Sequence, residues 1–106
     1  MSDPIVTVII PVYNTMPYLT ACLDSLVAQT VGLDRLQVVA VDDGSNDGSE
    51  LELDSYAARY PGSFVVVHQA NSGGPAQPCN RGLELATGRY VFFLGADDYL
   101  GVEALP

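Results

Sequence analysis

The chain has 106 residues, 48% of them hydrophobic and 16% charged, a length for one domain and a composition that excludes a disordered chain. Its formal net charge is −9 and all of its basic residues are Arg, so a nucleic acid would meet repulsion and is excluded as a partner. No apolar run approaches the about 20 residues of a membrane span, and the N-terminus MSDPIVTV lacks the features of a secretory signal.

Four apolar runs each stop at a polar cluster. VTVIIP (6–11) runs into Tyr13-Asn14, and LQVVAV (36–41) into Asp42-Asp43-Gly44-Ser45. FVVVH (64–68) runs into Asn71-Ser72-Gly73-Gly74, and YVFFL (90–94) into Gly95-Ala96-Asp97-Asp98. Short, continuous β-branched runs predict strands of a parallel sheet covered on both faces. After the first strand, Leu19, Cys22, Leu23, Leu26 and Val27 form a helical stripe, with Thr15 as cap, Pro17 in the first turn and Gly32 at the exit. Leu53, Tyr56, Ala57 and Tyr60 share a face of a second helix, ended by Pro61-Gly62. A third helix spans about Pro75 to Thr87, with Ala76, Cys79, Leu83 and Ala86 on one side and Gly88 as its stop. Pro78 fits only within its first turn.

This order, β-α-β-α-β-α-β, predicts an α/β fold: a Rossmann-like parallel sheet of about four strands with helices on both faces. In open α/β sheets ligands sit outside the carboxyl ends of the strands, so the four clusters share one crevice. The edge beyond YVFFL has no partner in the sequence and is open to association. Residues 102–106, VEALP, read as the opening of a helix, and residues 1–106 are expected to be the front part of a longer domain.

Turn and cap preferences explain residues 44–49, but not two adjacent carboxylates at the end of a strand. One of Asp42 and Asp43 is expected in the crevice, accepting a hydrogen bond from a base N–H or a ribose hydroxyl. Asp97-Asp98 reads either as an acidic helix start or as a hard-cation site, one or two carboxylates completed by ligand phosphates and water. A facing acidic pair favours the cation, Mn²⁺ or Mg²⁺. The run Asn71-Ser72-Gly73-Gly74 leads into a helix N-terminus, which suits a phosphate or sugar, with Gly74 as a candidate contact. His68 reads as structural or ligand-adjacent, and Cys22 as a small core residue.

Taken together, VTVIIPVYN, VVAVDDGSNDGS and NSGGPAQPCNRGLELATGRYVFFLGADD resemble the nucleotide-sugar-binding half of the family 2 glycosyltransferases, which have the GT-A fold. The resemblance covers essentially the whole chain. It implies an enzyme taking a nucleoside-diphosphate sugar, most often a UDP-sugar, and inverting the anomeric centre as the sugar passes to an acceptor hydroxyl. It further implies that Pro11 and Tyr13 flank the uracil and ribose, that Asp43, with Asp42 close behind, contacts uracil, and that Asn71 lies near the nucleotide. Asp97 matches the second acid of the Asp-x-Asp motif that holds the metal against the diphosphate, with Asp98 as a second candidate ligand. The chain departs from the pattern at Gly95, where the first acid of Asp-x-Asp is usual, and at Cys79, where Arg is frequent. Arg81 does not replace that cation, because two residues along a helix turn a side chain by about 200°. The catalytic base is expected beyond Pro106, so this chain is expected to bind donor and transfer no sugar. The expected setting is cytoplasmic, with the inner face of a membrane open to a longer protein.

Two other readings fit parts of the same sequence. A receiver-type signalling domain has similar length and an Mg²⁺-binding acidic cluster, but needs its acidic pair after the first strand and a Lys that this chain lacks. A non-catalytic or truncated nucleotide-binding module is kept open by Gly95 and Cys79.

Overall fold

The computed structural model describes residues 4–101 and 105, so most of the helix opening expected over 102–106 lies outside the described residues. Four strands form one sheet in the order β3-β2-β1-β4: β1 (Val6–Val12), β2 (Leu36–Asp42), β3 (Phe64–His68) and β4 (Tyr90–Phe93). All pairings are parallel, with Val6 opposite Leu36 and Tyr90, and Asp42 opposite His68. The helices are α1 (Leu19–Val27), α2 (Ser49–Arg59) and α3 (Ala76–Leu85). The expected α/β sheet with helices on both faces is therefore the observed fold.

β1 and β2 lie in the middle of the sheet and read as unbroken apolar runs because both of their faces are covered. On one face Val8, Ile10, Val38 and Ala40 pack with Leu19, Cys22, Leu23 and Leu26 of α1 and with Leu53 and Tyr56 of α2. On the other, Ile9, Val39 and Val41 form a smaller cluster with Leu85 of α3. Burying each such aliphatic side chain contributes about 1.5–3 kcal/mol, so the α1–α2 side supplies most of the core.

Three local expectations are corrected. Thr15 is not a side-chain cap: α1 starts after Tyr18, and Thr15 contributes only its carbonyl, which accepts the Tyr18 and Leu19 N–H groups. Pro17 consequently lies in the turn ahead of the helix, and Gly32 opens a short 3₁₀ turn (Leu33–Arg35) rather than closing α1. The third concerns α3, whose buried residues are Pro78 and Gly82 with Leu85 packed at its end, while Leu83 points outward. Gly82 lies so close to the sheet that a Cβ there would stand 2.5 Å from Ile9 Cγ2. The helix approaches through small residues, and an apolar stripe does not reveal that face. Beyond its end, Gln37 and Thr7 fasten the chain: Gln37 Oε1 accepts the Thr87 N–H at 2.8 Å, and Thr7 Oγ1 accepts the Gly88 N–H at 2.8 Å.

Candidate functional site

Because all four strands run the same way, their polar C-terminal clusters meet at one rim. There they enclose a cleft of about 570 Å³. Its lining includes Pro11 and Tyr13 from the end of β1, Asp43 after β2, Asn71 and Gly74 after β3, and Asp97 after β4.

The wall after β1 is held by the turn after β2. Asn14, with a φ of 50°, donates its N–H to Ser45 Oγ at 3.0 Å and accepts the Asn46 N–H at 2.8 Å. The Thr15 N–H reaches Ser49 Oγ at 3.1 Å, and the Met16 N–H reaches Asp47 at 3.1 Å. Gly44 takes a φ of 86°, a conformation that suits Gly, and passes so near Asn71 that a Cβ would lie 2.8 Å from its backbone nitrogen.

Asp43 is buried and firmly oriented. Its Oδ1 accepts from Gln69 Nε2 at 2.8 Å, its Oδ2 from the Ser72 hydroxyl at 2.8 Å, and the Ser72 N–H lies 3.1 Å from Oδ1. Burial pulls the carboxyl upward, but the hydrogen bonds from Gln69 and Ser72 outweigh it and hold the group below the ordinary carboxylate range. Asp43 is thus a fixed anion in the cleft wall. Asn71 adds its side-chain N–H to the Asp43 carbonyl at 2.9 Å, binding the two loops together.

Asp42, also expected as a ligand contact, is absent from the cleft lining. Strand side chains alternate, and Asp42 falls on the α1–α2 face, where its Oδ2 lies 2.7 Å from His68 Nδ1 and its Oδ1 accepts the Ser45 N–H at 2.9 Å. Asp98 is likewise outside the lining, and its backbone closes a turn onto the Gly95 carbonyl at 3.0 Å. Asp97 does line the cleft, is exposed, and lies beside Gly95, where an added Cβ would stand 3.2 Å from Asp97 Oδ1 and 3.0 Å from Asp98 Oδ2. Under this corner Cys22 is buried; burial, then the charges of Asp98 and Asp97, push its thiol up to about 12, so it is an inert core residue.

The cleft walls carry two carboxylates, Asp43 and Asp97, and no cationic side chain among the described residues. Arg81 is turned to Glu84, 3.8 Å away. Among the described residues no group of three His, Cys, Asp or Glu side chains could by itself hold a metal ion. The chemistry of the set nevertheless fits a hard cation that takes one protein carboxylate and completes its octahedron with ligand phosphates and water. Asn14, Thr15, Tyr18, Gly73 and Pro78 also line the cleft, beyond the residues expected there. For Asn14 the signal was its place in the first polar cluster; Tyr18 and Pro78 were hidden among helix-forming positions.

A model of the family described as Glycosyl transferase family 2 matches residues 7–106. The chain belongs to that family. Its family relatives include a poly(ribitol-phosphate) beta-glucosyltransferase of Bacillus spizizenii, 41% identical over 100 residues that cover 94% of this chain and 16% of that protein. Among solved structures, the chain is similar to S. aureus TarS 1-349 in complex with UDP, at a TM-score of 0.86 and 36% identity, covering 93% of this chain and 29% of that one. It is also similar to a mannosyltransferase of Pyrobaculum calidifontis in complex with GDP-Man and Mn²⁺, at a TM-score of 0.82 and 34% identity, covering 92% and 29%. The chain spans less than a third of the length of each. It shares the fold of the matched part of both solved structures. No helix among the described residues is long and apolar enough to cross a membrane.

Proposed function

We propose that this chain is the nucleotide-sugar-binding part of an inverting glycosyltransferase that takes a UDP-sugar and passes the sugar to an acceptor hydroxyl. The observation that carries the reading is the cleft, where Tyr13, Asp43, Asn71 and Asp97 converge at the carboxyl ends of parallel strands. Asp43, fixed as an anion, accepts the N–H of the base, and exposed Tyr13 covers the base and ribose. Asn71, Gly73 and Gly74 face the rest of the nucleotide with short, polar or absent side chains. The UDP complex of TarS, a relative, supports UDP as the nucleotide.

Asp97 is the residue that would hold a divalent cation, Mn²⁺ or Mg²⁺, with Asp98 as its neighbour. A diphosphate entering a cleft with two carboxylates and no basic side chain needs its charge offset, and the Mn²⁺ in the mannosyltransferase complex supports a metal in that role. When bound, the cation neutralises charge on the departing diphosphate. The chain's own residues bind and orient the donor, and none of the residues lining the cleft is assigned as the general base for the acceptor hydroxyl, so residues 1–106 alone bind nucleotide and transfer nothing.

Calorimetric titration of UDP into the chain, with and without Mn²⁺, tests this reading. The expected result is binding that tightens with the metal and loses that gain in Asp97→Ala. Binding indifferent to Mn²⁺, and unchanged by Asp97→Ala, overturns the bridging role and favours the module without catalysis.

A further inference from the structure

A second polar cluster occupies the α1–α2 face of the sheet, behind the cleft wall. His68, at the end of β3, lies between two carboxylates: Nδ1 is 2.7 Å from Asp42 Oδ2, and Nε2 is 2.7 Å from Asp54 Oδ1 on α2. Both ring nitrogens are at hydrogen-bond distance from groups that only accept, which is the pattern of an imidazolium with two N–H donors. Asp42 is buried and its other oxygen holds the Ser45 N–H at 2.9 Å; Ser45 Oγ in turn accepts from Asn14 at 3.0 Å, and Asn14 lines the cleft. Asp54 opens a second route, because α2 begins at Ser49, whose hydroxyl accepts the Thr15 N–H at 3.1 Å. Both routes end in the wall formed by residues 14–15.

We propose that His68 is a positioning residue for the nucleotide cleft: clasped between Asp42 and Asp54, its charged ring ties α2 to the end of the sheet, holds the 14–15 wall, and loosens it when the ring becomes neutral. This deepens, and rests on, the reading of the cleft as a nucleotide site.

The charged groups facing the ring are Asp42 from β2 and Asp54 from α2. The other acids near the start of α2 are engaged elsewhere: Glu50 accepts the Gly48 N–H, Glu52 pairs with Thr20, and Asp47 takes the Met16 and Ser49 N–H groups. A neutral ring has a single N–H. The buried carboxylate keeps it, because an unpaired buried charge costs far more than an exposed one, and Asp54, 58% exposed, is released to water. The hydrogen bonds to Asp42 and then Asp54 raise the ring's pKa against the opposing effect of burial. The tie is therefore complete below the ordinary His value of about 6.5 and is lost as pH rises through the raised value.

Two measurements on the 106-residue chain test this. In the first, UDP is titrated from below the ordinary His pKa to well above it, in the wild type, Asp54→Ala and His68→Lys. Wild-type affinity is expected to fall by about fivefold, the low end of site-to-site coupling, because one of two ties is lost. Asp54→Ala, an exposed change that leaves the Asp42 pair intact, should bind like the high-pH wild type at every pH. His68→Lys keeps a cation between the carboxylates and should bind tightly without the His-range slope. Ionisation of UDP itself is common to all three and cancels. In the second, the Asn14 amide resonance is followed against pH without nucleotide and should titrate with the His68 ring. A slope shared equally by wild type and Asp54→Ala, or an Asn14 amide indifferent to the ring, overturns the proposal. Failure of all three proteins to bind UDP overturns the nucleotide reading instead, and the Asn14 titration still decides whether His68 holds the wall.

Discussion

Asp42 and Asp43 are neighbours in sequence but serve opposite faces of the sheet end. Asp42 meets His68 on the α2 side, while Asp43 meets Gln69 and Ser72 at the cleft. Asp43→Asn is expected to weaken UDP binding by about ten- to hundredfold, the range of a hydrogen bond to a charged group. Asp42→Asn should act mainly on stability, since it breaks a buried pair and its side chain is absent from the cleft lining, with an affinity loss of only the about fivefold that loosening the 14–15 wall brings. Calorimetry and thermal melting on both variants check the split. A larger loss of affinity in Asp42→Asn would reverse the assignment.

That split shows where the sequence was informative. The parallel sheet was legible because four β-branched runs ended in the same kind of polar cluster, and parallel strands must bring those ends together. The facing of Asp42 was not, because β2 is buried on both faces and its apolar run carries no alternation to reveal parity. Asp54 looked like any acid on a helix surface, and only the register of Asp42 with His68 gives it a partner. The face of α3 is illegible for a different reason: Gly82 lies against Ile9 with no room for a Cβ, and a hydrophobic stripe does not record a glycine contact.

Gly82→Ala tests that close approach. Alanine gains about 1 kcal/mol of helix propensity over glycine, but overpacking against Ile9 costs about 1–3 kcal/mol, so the net change is expected to be destabilising. Ile9→Ala on its own opens a cavity. In the double variant the two losses should fall short of their sum, as a denaturant-unfolding cycle would register. Additive losses would mean that the two residues do not contend for the same space.

Stability is expected to decline on both sides of a maximum below neutral pH. Asp43 is held below its ordinary value, with Gln69 and Ser72 overcoming burial, and Asp47 is lowered chiefly by Ser49. Their contribution is complete above about pH 4 and is lost as pH falls through the lowered values. His68, raised by Asp42 and Asp54, contributes fully below about pH 6.5 and loses that share as pH rises through its raised value. Thermal midpoints measured across this range should show both limbs, with the alkaline limb shallower in Asp54→Ala. A midpoint climbing steadily into alkali contradicts the His68 contribution.

β4 is an edge strand, paired among the described residues with β1 alone, and Tyr90, Val91, Phe92 and Phe93 are all exposed. An apolar edge of this kind recruits further chains. The 106-residue chain is expected to associate as its concentration rises, and Val91→Lys to reduce that association without loss of helicity. Light scattering over a concentration series, with circular dichroism as the control, reads both. Equal association in the two proteins would move the contact away from this edge.

The most direct test of the nucleotide cleft is a map of backbone amide shifts in the 106-residue chain on titration with UDP and Mn²⁺. Shifts are expected at Tyr13 and Asn14, at Asp43, over 71–74 and at Ala96-Asp97, with 33–35, 62–63 and 87–89 at the other end of the strands left still. Shifts gathered at that far end, or scattered over the surface without the four strand ends responding together, would contradict a nucleotide site at the carboxyl rim of the sheet.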